Sequence, residues 1–518
     1  MAAGNCGVNV NEQEWMMRKF LVVACACVFF VVGHGWSAEV ELKAGTAMAP
    51  ITNDEPRVMV NGRTSQGTLK DIHARVLTLY DGTNRLIFVT YGLNCLDVGT
   101  ADLRKRIEEE LGIDKKYLIL LATHNHSAPI QIVPENFEYG HEIADTMFDL
   151  IKEAIANETG PVKVEYGHGD GHFLFSRGNA PVDYEIQVLK VSNDDEPIAL
   201  LFNHPVHPTQ ASVNLVGPGH PGWAMDQIEA AMPGVQAMYF DAAGGNQFVR
   251  KPYDYNKKLF DARSGGPEAV DAYMQEVTED TARKLADATL EIVYDDDLVD
   301  VTGPLSSSFE IFDLPLAPPM PEEEARALVE EKNVPLDVGF VPYPHDDRGT
   351  NWIRMLLRYY EEGLEFPDST MDMVCTDDTY LIAKWDDEFL EKYDYSIHDE
   401  YPCIYEETIV AKIGPMPFVA MQGEVCSPIG MRVKDAFRTE RPIFVTAYMG
   451  EHNLYIPTRE LVRLDAYQAQ TLRIQYASPV GWDPSVEDVM VENVVRMVQE
   501  VIGDADEERL NPDRLVRE

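Results

Sequence analysis

Two histidine clusters carry the residue types and spacing for metal chemistry: Thr123-His124-Asn125-His126-Ser127 and His204-Pro205-Val206-His207. Residues two apart on an extended backbone point to the same side, so His124 and His126 can face one cavity. Neutral imidazole is the commonest zinc ligand, and rigid scaffolds present ligands on the loops that follow strands. An HxH pair taken alone also fits structural or merely exposed histidines. A second cluster in the same strand-end setting adds weight to the metal reading. A carboxylate is supplied by Phe418-Val419-Ala420-Met421-Gln422-Gly423-Glu424, an apolar strand that ends on Gly-Glu. A glutamate placed directly after a buried strand is costly unless it is paired or bound to a metal. Without that context it reads as an ordinary loop acid.

The elements that must position these groups alternate between strand and helix. Runs from Arg75 to Tyr80 and from Leu86 to Tyr91 read as strands joined by the turn Asp81-Gly82-Thr83-Asn84. A helix is expected over Ala101 to Leu111, with Leu103, Ile107 and Leu111 on one stripe. Tyr117 to Ala122 is an apolar run of strand length that leads into His124. Ile143, Met147, Leu150, Ile151 and Ala154 mark a second amphipathic helix, stopped by Gly160-Pro161. Ile186 to Val191 and Ile198 to Phe202 read as strands, the latter leading into the second histidine cluster. A long helix is expected from about Pro267 to Val293. Leu314 to Pro321 is proline-rich, and Glu322 to Lys332 reads as a solvated helix. The stretch Asp346 to Tyr405 is charged and aromatic with little clean periodicity, an insertion or lid in expectation. Strands at Glu407 to Ile413 and Phe418 to Met421 and a helix over Ser485 to Ile502 close the series. The fold class expected is α/β (mixed α+β), with mixed sheets covered by helices in one domain over residues 39–518.

Composition narrows the partners. The chain holds 87 Asp+Glu against 43 Lys+Arg, a formal net charge of −44. Such a surface repels nucleic acid and anionic membranes, while 20 Phe, 23 Tyr and 6 Trp argue against disorder. Arg18-Lys19, the apolar run Phe20 to Val32 and the end at Ala38 describe a secretory leader over residues 1–38. Export to a secreted or periplasmic location is therefore expected, with no membrane span left after cleavage. Of seven cysteines, Cys95, Cys375, Cys403 and Cys426 lie beyond the leader without CxxC spacing, which speaks against a thiolate zinc site. Three complete pairings of the four are open.

With these residues in view, the chain resembles the neutral/alkaline ceramidases from about Ala44 to Gln470. Ala122-Thr123-His124-Asn125-His126-Ser127-Ala128-Pro129 is similar to that family's Thr-His-Thr-His-Ser-Gly-Pro signature. Asn203-His204-Pro205-Val206, Ala243-Gly244-Gly245-Asn246, Gln422-Gly423-Glu424 and Tyr455-Ile456-Pro457-Thr458 follow in the family's order. The resemblance implies one zinc ion per chain held by His124, His204, Glu424 and Tyr455, with His126 beside it as a catalytic group. It also implies a substrate-contacting Arg177 and a second site tyrosine at Tyr467.

The activity implied is zinc-dependent hydrolysis of an N-acyl amide such as ceramide by a zinc-activated water, with His126 protonating the leaving amine. Departures from the family are His220 and Asn246, where aspartates are common, and Gln468 after Tyr467, where glutamate is usual. The family's immunoglobulin-like C-terminal domain is not expected here. These departures bear on the lipid substrate more than on the metal. Three other readings stay open: a metal-dependent esterase or phosphoesterase, a non-catalytic lipid- or carbohydrate-binding protein on the same fold, and an unrelated fold with structural histidines.

Overall fold

The computed structural model describes Met1 and residues 41–96, 99–131, 133–178, 180–209, 214–295, 297–336, 349–373, 406–438, 441–450 and 454–502. The expected leader, Cys375, Cys403 and most of the 346–405 stretch lie outside the described residues. Cys95 and Cys426 are both buried and not joined in a disulfide.

The chain is mixed α/β, as its alternating periodicity predicts. Among the described residues the main sheet has thirteen strands and mixes parallel with antiparallel pairs. The hairpin His73–Tyr80/Arg85–Tyr91 forms as read from the sequence, with Ala74 opposite Tyr91 and Tyr80 opposite Arg85. Leu118–Ala122 then adds in parallel beside Arg85–Tyr91. Every residue of Leu118–Ala122 is buried, the pattern of a strand covered on both faces.

Both covers can be identified. On one face the helices Thr100–Leu111 and Phe137–Ala156 pack Leu103, Ile107, Tyr139, Ile143, Met147 and Ile151 into a common core with the strands. On the other face the sheet turns back on itself. Arg75 donates to the Ala237 carbonyl at 2.9 Å and Thr90 to the Tyr239 carbonyl at 2.5 Å, across the layer. Phe88 meets Phe240 and Phe418 in the same layer, with ring centroids 6.3 and 5.0 Å away. The returning half comprises Thr159–Asp170, Glu185–Asn193, Glu196–His204 and Gln236–Asp241, and the helices Gly219–Ala231 and Pro267–Val293 pack against it.

Three elements differ from the sequence reading. The preceding helix ends at Ala156, and Gly160-Pro161 lies inside the strand Thr159–Asp170, an element the sequence reading did not include. Within the stretch expected to lack periodicity, Asn351–Glu362 is a helix. Its Trp352, Ile353, Leu356 and Leu357 pack against Ala325 of the Glu322–Lys332 helix, which is therefore not solvated all round. No helix among the described residues is long and apolar enough to cross a membrane.

One buried ion pair fixes the Thr100–Leu111 helix to the far part of the chain. Both guanidinium nitrogens of Arg104 reach the Glu407 carboxylate, at 2.8 and 2.6 Å, with the side chains 4% and 0% exposed. Removing one partner strands the other charge in a dry interior. Arg104→Ala is expected to lower unfolding free energy by about 3–5 kcal/mol, read from urea denaturation. A loss below about 1 kcal/mol would mean that solvent reaches the pair.

Candidate metal centre

Four strand ends meet at one place. Leu118–Ala122 leads into His124 and His126, and Glu196–His204 leads through Pro205-Val206 to His207. Met416–Gln422 leads through Gly423 to Glu424, which pairs in a short parallel ladder with Tyr455. Phe444–Met449 brings Tyr448 to the same spot. The Ala243-Gly244-Gly245-Asn246 loop lies between two of these ends. A Cβ at Gly244 would lie 2.6 Å from the carbonyl carbon of Pro205, and one at Gly245 would lie 2.4 Å from the carbonyl oxygen of Glu424. Only glycine leaves room for that approach.

His124, His126 and His207 present one ring nitrogen each to a common point. The Nε2 atoms of His124 and His207 are 3.2 Å apart, as are those of His126 and His124. Nitrogens bound tetrahedrally to zinc at its usual distance are about 3.3 Å from one another, so the spacing suits a shared cation. The opposite ring nitrogens of His124 and His207 have orienting partners, the usual outer layer of a metal site. His124 Nδ1 lies 3.2 Å from the Asn94 carbonyl oxygen, and His207 Nδ1 lies 3.3 Å from Glu424 Oε2 and 3.4 Å from the Tyr448 hydroxyl. Asn125, between the two histidines, donates to the carbonyls of Gly92 and Gly217 and accepts from Ser127 N–H. It pins the turn that aims both rings. His124 itself has φ 51°, within the left-handed region, at the start of that turn.

Burial sets the protonation of the group. His124 and His207 are held well below the ordinary imidazole range by desolvation first and by neighbouring histidines second. Burial pushes His126 down to about 4. All three rings are therefore neutral at pH 7, the form that ligates metals. Glu424 is pushed well above the ordinary carboxylate range by desolvation. Tyr455 is pushed well above the phenol range by burial and then by Glu424. A dication at the convergence point would reverse both shifts by favouring carboxylate and phenolate. A buried carboxyl, two buried and one half-buried neutral imidazole and a buried phenol form a donor set suited to a cation.

The sequence-expected residues fall as follows. His124, Glu424 and Tyr455 come together: Glu424 Oε1 is 3.6 Å from His124 Nε2, and the Tyr455 hydroxyl is 3.4 Å from His207 Nε2. His126 stands in the converging group rather than beside it. His204 does not reach the group. It is the last residue of its strand, its Nε2 faces the Gly171 carbonyl at 3.2 Å, and its ring lies against Phe173. The member of the second cluster that arrives is His207, three residues on, where Pro205-Val206 has turned the chain. Arg177 stacks over Phe248 with Cζ 3.9 Å from the ring centroid, and Phe248 in turn lies 5.3 Å from His207. Tyr467 packs edge-on to Tyr455 at 5.8 Å and is 47% exposed, placing it at the rim. Residues the sequence did not single out are Asn94, behind His124, and Tyr448, behind His207. Neither sits in a motif with metal-ligand spacing.

The fold that carries this site is neutral ceramidase-like. The chain is similar to the neutral ceramidase of Pseudomonas aeruginosa, with 18% identity and a TM-score of 0.64, over 90% of this chain and 75% of that one. It is likewise similar to a ceramidase solved in complex with C2, with 17% identity and a TM-score of 0.62, over 90% of this chain and 76% of that one. No protein-family model and no curated sequence matches it.

Proposed function

We propose that this protein is a zinc-dependent hydrolase of N-acyl amides. The observation that carries the reading is the convergence of His124, His126 and His207 nitrogens at 3.2 Å spacing beside a buried Glu424. His124, His126 and His207 would hold the ion, with Glu424 and Tyr455 as oxygen donors alongside. Zinc in a site of this kind supplies water acidified to near neutrality and polarises a carbonyl.

The chain's own residues do the rest. Asn94 and Asn125 fix ring orientation, so the donor atoms meet the ion without reorganisation. Phe248, 5.3 Å from His207, sets an apolar face beside the group. Arg177, stacked on Phe248, holds its planar fork toward a polar head or carboxylate on the substrate. Tyr467, exposed at the rim, offers a flat face to the same part. A single carboxylate among the donors suits acyl transfer better than the paired metals often used on phosphoryl groups. The comparison structures, both ceramidases by name, favour an amide substrate of the ceramide type.

The test is product detection by mass spectrometry on zinc-loaded protein, with a chelated control, across N-acyl amides that vary in chain length and head group. Amide cleavage that disappears on chelation and returns with Zn²⁺ is expected, with little action on phosphoesters. Turnover of phosphoesters without any amide cleavage would sink the acyl-transfer reading.

A further inference from the structure

Tyr448 holds a backbone conformation that bulky residues avoid. Its φ is 62°, within the left-handed region, and its ring is buried. For an L-residue this costs about 1–2 kcal/mol, and such outliers persist where the surroundings impose them, often at functional sites. The local cause is a bulge. Ala420 pairs with Thr446 and Gln422 with Met449, so the Phe444–Met449 strand carries one residue more than its partner. The Tyr448 N–H donates to the Gly423 carbonyl at 2.9 Å. Bulges commonly re-aim a side chain next to a site, and this one turns the tyrosine ring onto His124, with centroids 4.5 Å apart. Its hydroxyl comes to 3.4 Å from His207 Nδ1.

His207 Nδ1 has two neighbours that can take its proton, Tyr448 and Glu424 Oε2. Of these two, the phenol meets the ring in a hydrogen bond and the carboxylate oxygen does not. Glu424 Oε1 faces the convergence point, 3.6 Å from His124 Nε2, and Oε2 is buried without a hydrogen-bond partner among the described residues. The phenol is therefore the acceptor for the His207 Nδ1 proton, and the carboxylate stays turned to the ion's place. Asn94 performs the matching service for His124, whose Nδ1 meets its carbonyl at 3.2 Å.

We infer that Tyr448 is a positioning residue of the metal group: its phenol oxygen accepts the Nδ1 proton of His207, turns His207 Nε2 to the ion and leaves Glu424 to bind it. This rests on the metal reading above and adds a residue to it.

The experiment compares the full chain with Tyr448→Phe, which keeps the ring packed on His124 and removes only the acceptor. Zn²⁺ affinity is measured by competition with a chelator of known strength, and Co²⁺-loaded protein is examined by visible absorption. The parent should bind one Zn²⁺. Tyr448→Phe should bind it roughly 10–100-fold more weakly, the usual effect of losing an orienting partner. Its Co²⁺ bands should shift, while the metal-free melting temperature stays that of the parent. Equal Zn²⁺ affinity and an identical Co²⁺ spectrum overturn the inference and leave the metal reading intact. A weaker affinity accompanied by an equal fall in metal-free stability marks the tyrosine as a packing group and also overturns it. A parent that binds no Zn²⁺ overturns the metal reading, and this inference with it.

Discussion

His207→Ala is expected to weaken Zn²⁺ binding by on the order of a hundred- to a thousandfold and to remove amide turnover at ordinary metal concentrations. The magnitude comes from dividing the roughly 10–16 kcal/mol of a four-ligand structural zinc site among its ligands. Each then carries about 2.5–4 kcal/mol, and every 1.4 kcal/mol is tenfold in affinity. His204→Ala is the counterpart. That ring faces the Gly171 carbonyl and Phe173, so its loss should cost folding stability while Zn²⁺ stoichiometry stays at one. The two variants separate geometries that the sequence alone cannot, because both histidines stand in one four-residue cluster. Metal retained in His207→Ala and lost in His204→Ala would show that the strand end is turned the other way.

The second large effect is on acid stability. His204 and His220 are each pushed down to about 3, by burial first and, for His204, by His220 next. Neither ring nitrogen of His220 has a hydrogen-bond partner among the described residues. A histidine whose folded pKa lies below its unfolded value contributes stability that is whole above about pH 6.5. That contribution is lost progressively as pH falls toward the folded value, because the unfolded chain takes up the proton first. With a folded value of about 3, the loss at pH 5 is about 2 kcal/mol for each ring. Asp241 and Glu406, raised by burial, pull in the opposite direction, so total stability against pH is not a clean readout. The difference between parent and His220→Leu is. The stability lost by the parent between pH 7 and pH 5 should shrink by about 2 kcal/mol in the variant, measured by urea unfolding at both values. An unchanged difference would mean that His220 is protonated, or solvated, in the native state.

Much of the scaffold was legible from local pattern. The Arg75–Tyr91 hairpin, the stripes at Leu103/Ile107 and Ile143/Met147/Ile151, and the long helix from Pro267 follow from periodicity and turn residues, which act over a few positions. The half of the site on the Leu118–Ala122 and Met416–Gln422 strands was legible for the same reason: apolar runs end on His124, His126 and Glu424. What stayed hidden depends on long-range geometry. Whether His204 or His207 faces the group is decided by where Pro205-Val206 bends the chain and by the Gly171 carbonyl waiting beside His204. Tyr448 was invisible because a one-residue bulge against a strand distant in sequence leaves no mark in composition. The Asn351–Glu362 helix was missed because its charged and aromatic residues obscured an apolar face that closes on Ala325.

The donor groups come from positions as far apart as 124 and 455, on four separate stretches of chain. An unfolded chain therefore offers a cation only scattered single imidazoles and carboxylates, never the group as a unit. The site can form only after the non-local strand pairing that is the slow part of building such a topology. On the metal reading proposed above, metal loading would be a closing event in folding. A bound ion would cross-link four separate stretches of chain, and local opening at one strand tip would have to break a coordination bond before it could spread.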